Sequence, residues 1–168
     1  MLEKDLAADL LGTATGLGYL AGTLLSSPDI DEAWIRLAPD FYGDAVRNFN
    51  DYPEFCLACA GYLGMAVARL WDKDWAAHKE EPYSYFLGER GFDDMDDHIT
   101  GKILRESRHS VAAMQSLSAE AWHFLLRKTS EPGTVEAYKL FLAAVKEMFR
   151  IGAAIELYRL GYRLEQLN

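Results

Sequence analysis

Two glutamate and histidine pairs have the spacing most suggestive of chemistry in this sequence. The pattern E-x-x-H occurs at Glu106/His109 and again at Glu120/His123. On a helix this spacing puts a carboxylate and an imidazole on one face, and in carboxylate-bridged metal proteins two such pairs converge on one pair of ions. Fourteen residues along a continuous helix span about 21 Å, which is too far for one site. A metal-dependent enzyme therefore requires a sharp turn at residues 116–118; otherwise the pairs are solvated side chains beside the core.

A second candidate site is a cluster of acids that ends in a histidine: Asp93, Asp94, Asp96, Asp97 and His98. Acids in the first turn of a helix satisfy free backbone N–H groups and oppose the positive end of the helix macrodipole. The cluster lacks the glycine at the sixth position and the glutamate at the twelfth that an EF-hand loop needs. We therefore predict a helix start here, and a partner-binding surface formed by the same five residues.

Two cysteines, Cys56 and Cys59, form a C-x-x-C pair close to a predicted helix start. A helix N-terminus lowers the pKa of a nearby thiol, which is the basis of redox chemistry at such pairs. The usual setting is a strand that leads into the helix, and no strand precedes this pair. A zinc site needs two more ligands, which the neighbouring sequence does not supply. We interpret both residues as reduced thiols in the core.

The elements that position these residues are helices, because apolar residues recur at intervals of three and four along most of the chain and strand-like alternation is absent. Predicted helices cover residues 3–25, 29–49, 51–78, 93–115, 118–131 and about 134–164. The sequence therefore predicts an all-α fold, a single-domain bundle of five or six helices over residues 1–168.

Two of these helices have features that predict how they pack. The first carries glycines at spacing four, Gly12/Gly16 and Gly18/Gly22, and we expect this flat stripe to let a neighbouring helix or a ligand approach closely. The third opens on a predicted capping box, residues 51–54, and is apolar on all sides from residue 55 to 68. A helix that is apolar on every side belongs at the centre of a bundle.

Charge and length restrict the kinds of partner. The chain has 168 residues and a net charge of −9, and residues 72–97 alone carry nine acids and three basic side chains. An acidic protein repels phosphate backbones, which argues against nucleic acid. The apolar runs at residues 10–25 and 55–68 are shorter than the roughly 20 residues that span a bilayer. The acidic start MLEKDLAADLL lacks the basic leader of a signal peptide, so we expect a cytoplasmic protein with no membrane partner.

Two resemblances to known families rest on particular stretches. The stretches WDKDW, GFDDMDDHI and TVEAYKLFLAAVKEMFRIG are similar to a small all-helical bacterial family without an assigned function. The run GYLAGTLLSSPD, followed downstream by Asp97, His98 and Ile99, resembles the TorD-like chaperones that mature molybdoenzymes. The second resemblance implies an all-helical fold and binding of a twin-arginine signal peptide near Asp97 and His98.

Phosphate loops, a nucleophile elbow and a dinucleotide-binding fingerprint are absent from the sequence. We therefore expect a non-catalytic helical module without a cofactor, whose acidic surface recognises a protein partner. Self-association as a homodimer through an apolar helix face is the second form of partner binding that we expect. The alternatives are a TorD-like maturation chaperone and a metal-dependent enzyme.

Overall fold

Helices account for most of the structure, a computed structural model that describes residues 2–129, 131 and 133–163. The α-helices are α1 (Leu2–Gly16), α2 (Pro28–Asn48), α3 (Pro53–His78), α4 (Met95–His98), α5 (Arg108–Lys128) and α6 (Val135–Arg159). Short 3₁₀ turns cover Tyr83–Phe86 and Phe92–Asp94, and a π-helical segment covers Ile99–Leu104. Within the described residues no strand forms, so the predicted all-α bundle is confirmed.

Helix α3 lies at the centre of the bundle and makes its most extensive contact with α6. Its residues from Cys56 to Ala68 are buried, apart from the half-buried Ala58. The prediction of a central helix is therefore confirmed. The helix starts at Pro53 as expected, but Tyr52 is the N-terminal flanking residue and no side chain caps it, so the predicted capping box does not form.

The close approach of α3 to α6 depends on glycines that differ from the predicted ones. A Cβ at Gly64 would overlap the backbone of Phe149, and a Cβ at Gly152 would overlap the backbone of Gly61. By contrast, no atom lies within 4 Å of the Cβ position at any glycine of the predicted stripe: Gly12, Gly16, Gly18 and Gly22. The prediction that this stripe receives a neighbouring helix is wrong, because it faces open space.

The first helix is also shorter than predicted, since α1 ends at Gly16 rather than near residue 25. Gly18 and Gly22 adopt positive φ angles of 86° and 81°, which glycine reaches without a steric penalty and which a helix does not contain. The chain turns there, and the Gly22 amide donates to the Thr15 hydroxyl at 3.0 Å. The next helix, α2, is capped by Ser27 rather than by Asp29 or Asp31, and it continues through Pro39.

The region before α5 departs most from the expected pattern. Residues 99–104 form a π-helical segment, and Arg105 then adopts a left-handed conformation with φ 53°, so the helix predicted from residue 93 onward ends here. Helix α5 begins at Arg108 and runs unbroken to Lys128, and the predicted break at residues 116–118 is wrong. Ser118 lies in the helix, and its hydroxyl donates to the Gln115 carbonyl at 3.4 Å.

The last helix matches the sequence pattern over most of its length. Thr134 caps α6 by accepting a hydrogen bond from the Ala137 amide at 3.1 Å. Phe141, Met148 and Ile155, which recur at intervals of seven, are all buried. The helix ends at Arg159, earlier than predicted, and the expected end near Leu164 lies outside the described residues.

Candidate functional site

The two E-x-x-H pairs do not converge on one site. His109, Glu120 and His123 lie in the unbroken helix α5, where the fourteen residues from one histidine to the other span about 21 Å, and Glu106 lies just before the helix. The Glu106 carboxylate accepts hydrogen bonds from the amides of His109 and Ser110, the latter at 3.2 Å. Glu106 thus caps the start of α5. The turn that the metal hypothesis requires is absent.

The remaining members of these pairs have separate environments. The His109 ring packs edge-on against Tyr19 with the ring centres 5.2 Å apart. Glu120 lies 3.4 Å from Arg127, and His123 is exposed. Among the described residues, no group of three or more His, Cys, Asp or Glu side chains could hold a metal ion.

Cys56 and Cys59 lie in the core with no exposed surface, as the core interpretation expects. Burial raises the pKa of Cys56 to about 12, and it raises the pKa of Cys59 well above its usual value. The Cys56 Sγ lies 3.6 Å from the Ala45 carbonyl oxygen, to which it donates. A protonated, enclosed thiol is a poor nucleophile, so the pair packs the α2–α3 contact.

The acidic cluster divides into residues with different surroundings. Asp94 pairs with Arg90 at 2.7 Å, and the hydrogen bonds from that guanidinium lower the pKa of Asp94. Asp93 and Asp97 are exposed, whereas Asp96 is half-buried. His98 lies with its Nε2 at 2.9 Å from the Tyr85 carbonyl oxygen, which can only accept, so this nitrogen carries a proton. The helical segment starts here as predicted, although no aspartate side chain caps it.

Two of these acids line a groove between α3, α4 and α5. The groove has a volume of about 380 Å³ and brings together residues that are far apart in the sequence. Its lining residues are Glu54, Phe55, Ala58, Tyr62, Asp96, Asp97, Val111, Gln115 and Ser118. Three carboxylates therefore face one concave surface, and no basic residue of the described chain lines it.

The groove is a place where negative charge is poorly hydrated. Burial is the largest cause that raises the pKa of Asp96, and the neighbouring Asp97 adds to it. Burial also raises the pKa of Tyr62, and the charge of Asp96 is the next largest cause. Because the charged form of each group is disfavoured by its surroundings, a cation that enters the groove gains more than it would at an exposed acid.

A second cavity, of about 280 Å³, is lined by residues that do not belong to the groove. It is lined mainly by aromatic and aliphatic side chains from the end of α2, the end of α5 and the start of α6, including Phe49, Trp122, Leu126, Tyr138 and Phe141. Leu126 and Tyr138 expose 55% and 50% of their surface. The cavity therefore continues into an apolar outer surface.

Several groove residues were missed by sequence reasoning. Gln115 and Ser118 lie on α5, where we expected a break, and Glu54 looked like part of a helix cap. Tyr62 carried a signal that could have been used, because it is the one side chain with a hydroxyl in the apolar stretch from residue 55 to 68.

Comparison with known proteins assigns neither a family nor a function to this chain. No family model matches the chain, and no curated protein and no solved structure is significantly similar to it. The two resemblances noted in the sequence therefore stay hypotheses. None of the described helices has the length and apolar character needed to cross a membrane.

Proposed function

We propose that this protein is a non-catalytic helical binding module whose groove between α3, α4 and α5 takes a basic segment of a protein partner. The observation that carries the proposal is the convergence of Glu54, Asp96 and Asp97 on one concave surface that no described basic residue neutralises. A segment rich in lysine and arginine complements this charge, which steers association and selects against acidic partners.

The surroundings of the groove support binding rather than catalysis. His98, the histidine of the acidic cluster, is engaged by the Tyr85 carbonyl and is not among the groove-lining residues. The two thiols are enclosed in the core. The groove lining thus offers carboxylates, a tyrosine, an amide and a hydroxyl, which suit recognition of a cation.

The test compares two double variants, each with two negative charges removed, with the wild type. A fluorescent twelve-residue peptide of mixed lysine and arginine is titrated with protein, and anisotropy gives the dissociation constant. We expect Asp96→Asn with Asp97→Asn to weaken binding about tenfold, since the half-buried Asp96 charge and the neighbouring Asp97 charge are both removed. The matched control is Glu32→Gln with Glu80→Gln, which changes the net charge equally at two exposed acids outside the groove.

If both double variants bind the peptide equally weakly, net charge alone attracts it, and the groove is not the binding site. No binding by the wild type would contradict the proposal as a whole. A peptide containing the twin-arginine signal is included in the same titration, because Asp97 lines the groove and the TorD-like alternative predicts preference for that sequence. Preference for it over the mixed basic peptide would favour the chaperone role.

Self-association is the second candidate, and it is favoured by the exposed apolar side chains around the second cavity. Leu126 and Tyr138 line that cavity, and the neighbouring Val135 is 63% exposed. Exposed apolar surface that adjoins a cavity is typical of contact sites between proteins. The two candidates use different surfaces, so one does not exclude the other.

A further inference from the structure

Tyr62 on α3 is a buried side chain whose hydroxyl group is unpaired within the described part of the chain. Only 5% of its surface is exposed, and it lines the acidic groove. Its hydroxyl has no hydrogen-bond partner among the described residues, and it is not one of the fully enclosed polar atoms. Since buried tyrosine hydroxyls usually find a partner, this hydroxyl is available to a group that enters the groove.

Three helices each contribute a side chain with an oxygen atom that can accept a hydrogen bond to the groove around Tyr62. Tyr62 comes from α3, Asp96 from α4 and Gln115 from α5. Asp96 and Tyr62 both line the groove, and among the charged groups Asp96 contributes most to the raised pKa of Tyr62. The site therefore combines a negative charge with neutral oxygens that lie on different sides.

This arrangement suits an ammonium group better than a guanidinium. An ammonium is a compact charge with three donors that point in different directions, so it can serve acceptors on three separate elements. A guanidinium is a planar fork that pairs best with both oxygens of one carboxylate. Phe55, Ala58 and Val111 supply an apolar wall along which the methylene stem of a lysine can lie.

We propose that the groove selects a lysine side chain of the partner, with its ammonium group bound between the Tyr62 hydroxyl and the Asp96 carboxylate. This inference rests on the proposed function and names the group that the same groove recognises. It assigns to Tyr62 a direct contact with the ligand, and it predicts discrimination between lysine and arginine.

The experiment uses short peptides and a label on tyrosine. The protein is prepared with ¹³C at the tyrosine ζ carbon, and the Tyr62 signal is assigned by its loss in Tyr62→Phe. Acetylated and amidated Gly-Lys-Gly, Gly-Arg-Gly and Gly-norleucine-Gly are then titrated. We expect the lysine peptide to shift the Tyr62 signal saturably. Isothermal titration calorimetry, which does not depend on that signal, compares the two proteins, and we expect about tenfold weaker binding to Tyr62→Phe, the loss typical of a hydrogen bond to a charged group.

The control is Tyr19→Phe, which removes a tyrosine hydroxyl outside the groove, keeps the ring that packs on His109 and should leave lysine binding unchanged. Tyr62→Phe should fold, because the hydroxyl it removes has no partner among the described residues, and thermal unfolding checks this. Arginine binding as tight as lysine, or norleucine binding as tight as lysine, would overturn the selection of an ammonium group. If free n-butylammonium binds as tightly as the lysine peptide, the proposal that the ammonium group belongs to a lysine of a protein partner is wrong.

The outcomes separate this inference from the proposed function. If Asp96→Asn with Asp97→Asn loses the basic twelve-residue peptide while Tyr62→Phe still binds the lysine peptide as tightly as the wild type, the groove stands and the lysine contact is wrong. If the wild type binds no basic peptide, both are wrong.

Discussion

The carboxyl groups of Asp9 on α1 and Glu120 on α5 face each other and share a single arginine. Arg127 Nη2 lies 3.4 Å from Glu120 Oε2 and 4.0 Å from Asp9 Oδ2, and no N–H or O–H donor of the described chain reaches the latter, enclosed oxygen while both acids are ionised. Two acceptors cannot bond to each other unless one carries a proton. Burial, followed by the interaction with Glu120, raises the pKa of Asp9 to about 6, and the hydrogen bond from Asp9 lowers the pKa of Glu120.

This pair predicts a pH dependence of stability at the α1–α5 contact. Between about pH 4 and 6 the folded chain holds a proton on Asp9 that the unfolded chain has lost, because the pKa is raised from 3.8 to about 6. Stability from this group is therefore present at low pH and is lost as the pH rises through about 6. Glu120 has the opposite effect on stability. Because its pKa is lowered, it contributes stability that is lost as the pH falls below its usual pKa of 4.5.

We expect Asp9→Asn to be more stable than the wild type at pH 7.5 by about 1 kcal/mol, to lose about half of that advantage at pH 5 and most of it at pH 4. The gain is small because solvent reaches part of the Asp9 side chain and screens its charge. Urea unfolding at several pH values gives the measurement. Asp5→Asn, at an exposed acid of the same helix, should keep the wild-type dependence of stability on pH. If the stability of Asp9→Asn also follows pH as the wild type does, Asp9 and Glu120 do not share a proton.

At the scale of helices, the contact between α3 and α6 is set by glycines that only the folded arrangement reveals. Substituting Gly64 by alanine places a Cβ against the Phe149 carbonyl oxygen and the Ala153 amide, both backbone atoms that cannot rotate away. We expect Gly64→Ala to lower the free energy of unfolding by about 2 kcal/mol or more, since a packed contact must open. Chemical denaturation monitored by circular dichroism measures it.

The matched control is Gly12→Ala on α1, where no atom lies within 4 Å of the new Cβ. Alanine is the better helix former, so this variant should be unchanged or more stable by up to about 1 kcal/mol. A large loss at Gly12 and none at Gly64 would support the stripe inferred from sequence spacing and contradict the observed helix contact.

Local sequence signals predicted the helix boundaries that depend on nearby residues. Pro53 in the first turn of α3 and Thr134 before α6 act within one turn, and both predictions agree with the structure. The serines at 116 and 118 suggested a break, yet their neighbours Leu117 and Ala121 are fully buried, and packing of that face keeps the helix intact. Arg105, where the break occurs, gave no such signal, since arginine is a good helix former.

The groove could be predicted only in part, because its members come from three separate segments. Asp96 and Asp97 were identified from their own clustering, whereas Tyr62 and Gln115 join them through the packing of α3 and α5. No spacing rule links residue 62 to residue 96. The sequence can therefore indicate which residues carry charge, but the arrangement that makes them one surface is a property of the fold.

At the scale of the whole molecule, the acidic groove and the apolar cavity offer two separate contact surfaces, and the second predicts self-association. We expect sedimentation equilibrium at rising concentration to show masses above the 18.9 kDa of one chain. Leu126→Glu, which puts a charge at the cavity rim, should shift the protein toward the single-chain mass. Ile35→Glu on α2 introduces the same charge at a side chain that is 73% exposed and outside the cavity, so it should leave the distribution unchanged. A wild type that stays at the single-chain mass throughout would contradict self-association and leave the groove as the surface for partners.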